Sequence, residues 1–410
     1  MKFAISAMGL LLMVSLPVQA QPWQFEKPIT VADNRNGKTF HHLESSGRRN
    51  IAVSANTVAV AWEDDRDGVP KIYLARKKIN DKAFTDEVRI SNEGEAYEPS
   101  LIALDNNRFA VAWEEGARIH LRLVTPDGLG PVIVPVKHES MQASLARHEQ
   151  RVLLAYSQRD ERYGRIFIQS IKVDGETLRA SSACPVDAKP VRDDQLYPAV
   201  AVVGERAIVA WEDRRPGHTI IMAAQNELDK PCRFTTPQRI SEGGSGQNAG
   251  FGKGHGVSRV ALAKYGTDRV LAAWADKRDF REGYDIYAAD YRHESQPGKQ
   301  TLFGANSRVQ DSFGGVAQQW HATVAGDASG RLVVAWDDNR DGNADIMLSW
   351  KQDDGWSDDM PVPGAHGDGE QVHPSIVLDD EGNLHMAWVV RQETGGATQL
   401  YYLLGRLIDN

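Results

Sequence analysis

Short apolar runs recur along the chain, and each ends in an aromatic residue followed by a charged turn. The clearest copy spans residues 332–347, where a run ending at Trp336 is followed by the turn 337–342 and a second apolar run. The aromatic residues that end these runs are Trp62, Trp113, Tyr156, Trp211, Trp274, Trp336 and Trp388. Their spacing of 43 to 63 residues indicates a solenoid, an array or a propeller.

Each repeat divides into four short runs separated by Gly, Asp, Asn and Pro. The second repeat has them at 99–103, 108–113, 119–124 and 132–136, and no segment keeps a helical period over eleven residues. The runs before the aromatic residues do not alternate polar with apolar, which is typical of strands buried on both faces. This pattern predicts an all-β propeller of four-stranded antiparallel sheets, with the repeating aromatic residue between neighbouring blades.

Seven repeats predict a seven-bladed ring, with six blades as the alternative if the repeat containing Tyr156 is miscounted. We label the strands of a blade A to D from the channel outward. The last repeat supplies strands A, B and C before the chain ends at Asn410, whereas residues 28–32 precede the first A strand and resemble outer strands elsewhere. We therefore expect the N-terminal strand to complete the seventh blade, which leaves no long open edge. The expected A strands lie near 48–54, 98–104, 141–147, 197–203, 257–264, 319–325 and 373–379.

The first twenty residues have the features of a cleaved signal peptide. Lys2 precedes an apolar stretch at 3–18 and a small-residue cleavage site at 18–20. Residues 21–410 are then expected to form a single propeller domain, in the periplasm of a bacterium or secreted from it. No later stretch approaches eighteen apolar residues, which predicts no membrane span. The formal charge of −9, without a basic run, argues against nucleic acid as a partner; the oligomeric state stays open.

The chain has two cysteines, Cys184 and Cys232. In an oxidising compartment an even pair predicts one disulfide. Two free thiols or a metal-binding pair are the alternative, which no CxxC spacing supports.

Antiparallel connections place the B–C turns and the D–A loops on one face of the ring. The acidic and basic residues of these turns therefore surround one mouth of the channel. Because the copies are nearly identical, we interpret them as turn-stabilising pairs; the alternative is that some arginines bind an anionic or hydroxylated ligand. The residues concerned are Asp64, Arg66, Glu115, Asp213, Arg215, Asp276, Arg278, Asp338 and Arg340.

One of these turns also has part of a calcium-loop pattern. Asp337, Asn339 and Asp341 alternate before a glycine, and Asp345 stands at the ninth position, as hard oxygen ligands do in calcium loops. The twelfth position is Leu348 rather than Glu. A plain turn is the favoured interpretation, and calcium is the alternative and the one cofactor considered.

Histidines and glycines distinguish some blades from others on this face. His321 and His373 occupy matching positions in adjacent blades, where imidazoles could bind a transition metal or transfer protons, or could be unrelated surface residues. Residues 241–258 hold seven glycines, which allow close approach to a ligand or serve as flexible filler. We therefore predict any ligand site over blades five to seven. The candidate residues are Lys253, His255, Arg278, Trp320, His321, Arg340 and His373.

Several short motifs are similar to those of a known propeller family. Residues 373–376, 382–384 and 387–388 resemble inner strands, and Ser349 to Ser357 looks like a degenerate Asp-box. The turns Asp127-Gly128 and Asp174-Gly175 stand at equivalent places. In these features the chain resembles the sialidase-like (BNR-repeat) propellers, and the resemblance implies the fold rather than an activity.

The sialidase catalytic set has no matching positions in this chain. The resemblance would require an Arg-Ile-Pro motif, but the nearest matches are 89–91 and 239–241, both in predicted outer strands. Our first hypothesis is therefore a secreted or periplasmic propeller that binds a glycan or protein partner on the B–C/D–A face without catalysis. The alternative is a divergent sialidase-like glycosidase or lyase acting on glycans, and a metal-dependent activity through the histidines is a third.

Overall fold

Strands make up the regular structure of the chain, as the short apolar runs predict. The computed structural model describes residues 21–34, 37–43, 49–215, 217–242, 256–278, 283–291, 302–311, 316–393 and 395–408. These residues contain 32 strands and no α-helix. They therefore include no helix long and apolar enough to cross a membrane. The predicted signal peptide at 1–20 lies outside the described residues.

The strands form seven antiparallel sheets of four or five strands each, and these are the seven blades of a propeller. The seven-bladed prediction is therefore confirmed. The A strands are β3 His41–His42 with β4 Ile51–Ser54, β8 Ala96–Ala103, β12 Ser140–His148, β17 Gln195–Val203, β21 Val257–Tyr265, β25 Gln319–Gly326 and β30 Glu370–Leu378. The B strands are β5 Thr57–Asp64, β9 Phe109–Glu115, β13 Arg151–Asp160, β18 Arg206–Asp213, β22 Arg269–Asp276, β26 Leu332–Asp338 and β31 Leu384–Arg391. The C strands are β6 Lys71–Lys78, β10 Arg118–Thr125, β14 Tyr163–Asp174, β19 Ile220–Glu227, β23 Asp285–Asp290, β27 Asp345–Gln352 and β32 Thr398–Leu407.

The outer strands are short, and the N-terminal segment supplies those of blade seven. In register, Trp23 pairs with Leu407 and Ile29 with Tyr402, which confirms the predicted closure. Trp23 also donates from its indole nitrogen to the carbonyl oxygen of Gly382 at 2.9 Å. The D strands are β7 Thr85–Arg89, β11 Gly128–Leu129, β15 Thr177–Ala180, β16 Cys184–Pro185, β20 Gln238–Arg239, β24 Ser307–Arg308, β28 Gly355–Trp356, β29 Met360–Pro361, β1 Trp23–Phe25 and β2 Ile29–Ala32.

The apolar core is divided among the interfaces between blades. Seven clusters of buried residues lie between successive sheets, including one between blade seven and blade one. Each contains one of the seven repeating aromatic residues, all fully buried. The predicted position of these side chains is confirmed, and the large apolar area of each ring explains why the repeat keeps it.

A carboxylate two residues further along the strand satisfies the indole N–H in most blades. Trp62, for example, donates to Asp64 at 2.7 Å and Trp274 to Asp276 at 2.9 Å. Blade seven differs, because Trp388 donates to the side chain of Gln371 at 3.0 Å. These side-chain pairs give the buried indole the partner that its N–H requires.

A disulfide joins two neighbouring blades. Cys184 in β16 of blade three is bonded to Cys232, which precedes β20 of blade four, and their Cα atoms are 4.9 Å apart. The predicted disulfide is therefore confirmed. It joins the outer edges of blades three and four. Along the chain, these two blades are connected by the segment between β16 and the inner strand β17.

Candidate functional site

Six of the A strands contain a β-bulge close to the mouth of the channel. At each bulge the pairing with the B strand shifts, and one residue adopts a left-handed backbone conformation with φ between 51° and 63°. Non-glycine residues rarely adopt this conformation, and bulges re-aim side chains near functional sites. Because the A strands are innermost, the re-aimed side chains surround the channel mouth. These bulge residues are Glu98, Gln142, Tyr197, Arg259, His321 and His373.

Side-chain oxygens hold several of these bulges in place. In three blades the glutamate that follows the repeating Trp accepts a hydrogen bond from the bulge N–H of the next blade. The bulge of blade four is held by an amide instead: the Oε1 of Gln142 in blade three accepts a hydrogen bond from the N–H of Tyr197 at 2.8 Å. The glutamate pairs are Glu63 with Glu98 at 3.0 Å, Glu114 with Gln142 at 2.6 Å and Glu212 with Arg259 at 2.7 Å.

Three imidazoles form a continuous row across blades six, seven and one. The ring centre of His373 lies 4.1 Å from that of His321 and 5.2 Å from that of His42. Asp337 in strand B of blade six holds His321 through Nδ1, at 2.8 Å. The His321 side chain is 30% exposed, so the row is accessible from the mouth.

Two arginines and two imidazoles act electrostatically on His373. Burial and the neighbouring His321, His42, Arg391 and Arg259 all lower its pKa, which lies well below the usual 6.5. The imidazole is therefore neutral at pH 7, the form that accepts a proton. Its Nδ1 is buried and has no hydrogen-bond partner among the described residues. This side of the mouth favours an anion, and it contains a base.

Aromatic side chains from blades four, five and six flank this row. The guanidinium of Arg259 stacks on the ring of Tyr197 at 3.4 Å, an arrangement that fixes the planar cation. The rings of Trp320 and Tyr284 are 3.9 Å apart, and both are half-buried. The mouth thus combines a fixed cation, aromatic rings and imidazoles with the glutamates that hold the bulges, among them Glu212 beside Arg259.

Three of the predicted ligand-binding residues meet at this mouth. The rings of Trp320, His321 and His373 follow one another. The ring centres of Trp320 and His321 are 6.4 Å apart, and those of His321 and His373 are 4.1 Å apart. Lys253 and His255 lie outside the described residues. The other two predicted residues, Arg278 and Arg340, lie in the B–C turns of blades five and six.

Each of these arginines is hydrogen-bonded to the carboxylate that ends its own B strand and to a side chain just before a D strand of the same blade. Arg278 donates to Asp276 at 2.6 Å and to Asn306 at 2.8 Å. Arg340 donates to Asp338 and to Asp359, each at 2.6 Å, and burial raises the pKa of Asp359 to about 6 although Arg340 opposes this. These contacts support the turn-stabilising interpretation of the repeated acid–arginine pairs.

The calcium-loop residues do not converge on one point. Asp337 accepts from His321, the Oδ1 of Asn339 accepts from the N–H of Gln318 at 2.7 Å, and Asp345 accepts from the N–H of Gly367 at 3.0 Å. Asp341 stands in the turn itself. Within the described ranges no group of three or more His, Cys or acidic residues is arranged to hold a metal.

Sequence reasoning missed Tyr197, Arg259, Gln142 and Glu98. The sequence contains a signal for these positions. Two residues after each bulge residue there is a small residue, at the start of the regular part of the A strand. Alignment of the A strands on this small residue would have brought the bulge positions together. The aligned segments are Glu98-Pro99-Ser100, Gln142-Ala143-Ser144, Tyr197-Pro198-Ala199, Arg259-Val260-Ala261, His321-Ala322-Thr323 and His373-Pro374-Ser375.

No protein-family model matches the chain, and among curated proteins none matches it in sequence. Three solved structures are similar to it in fold. The β-propeller domain of the trilobed protease from Pyrococcus furiosus has a TM-score of 0.52 at 12% identity, covering 91% of this chain and 97% of that one. A puromycin-hydrolysing peptidase from Mycobacterium tuberculosis has a TM-score of 0.50 at 13% identity, covering 90% of this chain and 53% of that one.

The third is an α-L-arabinofuranosidase from Fusarium graminearum, with a TM-score of 0.47 at 12% identity, covering 92% of this chain and 97% of that one. At these identities the likenesses show the fold alone. The two likenesses with TM-scores of 0.50 and 0.52 support a propeller fold but do not point specifically to the sialidase-like repeat family. The chain is therefore a seven-bladed β-propeller whose distinguishing feature is the set of different residues at its channel mouth.

Proposed function

We propose that the protein binds a glycan that carries carboxylate groups, at the channel mouth. The observation that carries this proposal is the imidazole row of His321, His373 and His42 beside the stacked guanidinium of Arg259, which is one of the two arginines that lower the pKa of His373. A stacked guanidinium suits a carboxylate. The half-buried rings of Trp320 and Tyr284 offer flat surfaces for the apolar face of a sugar.

The sequence resemblance to sialidase-like propellers is compatible with this ligand class, because sialic acids are carboxylate sugars. The first hypothesis of a glycan partner is thus kept, and a protein partner becomes the second possibility. Export from the cytoplasm forms part of the proposal. The disulfide between Cys184 and Cys232 and the predicted signal peptide at 1–20 both support an oxidising compartment.

A titration with matched ligands tests the proposal. Isothermal calorimetry on the mature chain would compare oligogalacturonates, alginate oligomers and sialylated oligosaccharides with carboxyl-reduced or neutral counterparts. We expect binding of an acidic glycan and loss of binding when its carboxylates are reduced. Arg259→Gln should weaken binding about 10- to 100-fold, the range for a lost hydrogen-bonded charge contact.

Arg214→Gln is the matched control, because Arg214 is an exposed arginine in a B–C turn and makes no contact with the mouth residues described above. Its affinity should equal that of the wild type. Equal binding of acidic and carboxyl-reduced glycans, or no binding of any acidic glycan, would overturn the proposal.

Catalytic turnover of the bound glycan is a second candidate function. The observation that favours it is the His321–Asp337 pair, 2.8 Å apart, next to the neutral imidazole of His373. Oriented imidazoles are common general acids and bases. Chromatography of glycans incubated with the enzyme would separate turnover from binding alone.

A further inference from the structure

Four carboxylates near the mouth have structural partners that bear on the kind of reaction possible there. Glycoside hydrolysis ordinarily uses two carboxyl groups that face the scissile bond, one as acid and one as base or nucleophile. Here Glu63, Glu114 and Glu212 each accept a backbone N–H from the next blade, and Asp337 accepts from His321. These four carboxylates hold the bulges and one imidazole in position.

The groups that the bulges of blades four to seven present to the mouth are of a different kind. They are the phenol of Tyr197, the guanidinium of Arg259 and the imidazoles of His321 and His373. Contacts join them in pairs, with Arg259 3.4 Å above the Tyr197 ring and His321 4.1 Å from His373. A cation, a base and a weak acid are the groups needed to remove a proton next to a carboxylate.

We infer that this site cleaves uronate-containing glycans by β-elimination, with His373 as the base, Arg259 paired with the uronate carboxylate and Tyr197 as the acid. The inference rests on the proposed function, because it requires an acidic glycan at the mouth. His321, held by Asp337, is a positioning residue that packs against His373.

The step balances without a metal, an oxidant or water. The imidazole of His373 takes the proton from C5, and that C–H electron pair forms the C4–C5 double bond. The C4–O4 bond breaks, and the departing oxygen receives the proton of the Tyr197 hydroxyl. Arg259 stabilises the negative charge that grows on the carboxylate as C5 loses its proton. The products are a 4,5-unsaturated uronate and a sugar with a new reducing end.

Product analysis tests this assignment on the mature wild-type chain. Polygalacturonate, alginate and glucuronate-containing glycans would be incubated with the protein and followed by the ultraviolet absorbance of the unsaturated uronate. Mass spectrometry distinguishes the reactions, because elimination products sum to the mass of the substrate whereas hydrolysis products contain one additional water. We expect elimination products from at least one of these polymers.

Variants then assign the roles. His373→Gln and Arg259→Gln should each lower turnover about 100-fold or more, Arg259→Lys should recover part of it, and Arg214→Gln should leave it unchanged. Circular dichroism and the melting temperature of each variant would establish folding independently of activity. Asp337→Asn should shift the pH profile of kcat rather than abolish turnover, as a positioning role requires.

The outcomes separate this inference from the proposed function. Acidic glycans that bind but yield no unsaturated product would overturn the elimination and leave the binding proposal intact. Products carrying an added water would replace elimination by hydrolysis. Full turnover in His373→Gln would remove that residue from the role of base, and absence of binding by any acidic glycan would reject both proposals.

Discussion

The residue two positions after each repeating tryptophan decides how the buried indole and the following turn are held. Five blades have a carboxylate there, and it accepts from the indole N–H. In blade four, burial alone would raise the pKa of Asp213, but hydrogen bonds from Arg215 and Trp211 hold it below its usual value. One acidic side chain thus satisfies an indole and an arginine together.

Asp276→Asn should show how strongly one blade depends on this carboxylate. Arg278 is 13% exposed, and Asp276 is its one ion-pair partner within the described residues. Its loss leaves a nearly buried guanidinium uncompensated, which costs about 3 kcal/mol or more. Urea denaturation would measure the free energy of unfolding.

The exposed Asp354→Asn is the control for charge removal and should change stability by less than about 0.5 kcal/mol. Adding Arg278→Met to Asp276→Asn should recover part of the loss, because the uncompensated cation is then absent. Equal stability of Asp276→Asn and the control would contradict this account of the turn.

Tyr156→Phe should leave stability unchanged or increase it by up to about 1 kcal/mol. Blade three has Tyr in place of Trp and Gln158 in place of the carboxylate, and the Tyr156 hydroxyl is buried without a hydrogen-bond partner among the described residues. Removing an unsatisfied hydroxyl while keeping the ring relieves its desolvation cost. A loss of more than about 1 kcal/mol in thermal or chemical denaturation would instead indicate a partner for this hydroxyl.

At the scale of elements, the contact between β1 and β32 closes the ring. Trp23 is 1% exposed and packs edge-on against Trp350, with ring centres 6.2 Å apart. The N-terminal strands therefore join the last blade through side chains as well as through the strand ladder. Without them β32 would have an open outer edge.

Trp23→Ala should destabilise the protein by about 3 to 5 kcal/mol, the range for truncating a buried aromatic residue. Hydrogen exchange should speed up first in β32, because its outer partner becomes loosely held. Gln24→Ala, at the exposed neighbouring position, controls for substitution in the same strand. Unchanged protection of β32 amides in Trp23→Ala would mean that the backbone ladder alone closes the ring.

At the scale of the whole molecule, the ring places different residues at equivalent points around one channel. His42 from blade one lies beside His373 from blade seven only because the ring is closed. The same geometry brings the charge of Arg259 to bear on His373, although more than a blade of sequence separates the two residues. The electrostatics of the mouth are therefore a property of the closed ring.

Stability should fall on acidification below about pH 6.5, and His373 should account for part of the fall. Its pKa is lowered in the folded state, so its contribution is fully present above the unfolded value and is lost as the pH falls towards the folded value. One such group changes the free energy of unfolding by at most about 1.4 kcal/mol per pH unit.

Denaturation of wild type and His373→Gln at about pH 7 and about pH 5 would measure this contribution. The variant should lose less stability on acidification than the wild type. The exposed His366→Gln should keep the full wild-type fall. An identical pH dependence in wild type and His373→Gln would show that His373 is not held neutral by folding.

The repeat period, the blade number, the strand order, the N-terminal closure and the disulfide followed from the sequence. They depend on local patterns. An apolar run that ends in an aromatic residue such as Trp62 or Trp336 forms a strand buried on both faces, and the number of such runs equals the number of blades. The turn-stabilising interpretation of Arg278 and Arg340 could also be inferred from the sequence, because near-identical turns in several blades indicate a shared structural role. At the mouth, Trp320, His321 and His373 were predicted from their position at the start of A strands.

The tertiary structure alone decided which other residues join them. Tyr197 and Arg259 share with the other bulge positions only a small residue two places further along the strand, and this pattern does not show which way their side chains turn. A β-bulge changes the direction of their side chains, and that bulge depends on a carboxylate or amide from the preceding blade. Local patterning determines which strands form and how many blades there are, whereas closure of the ring and the bulges at its inner edge determine which side chains meet.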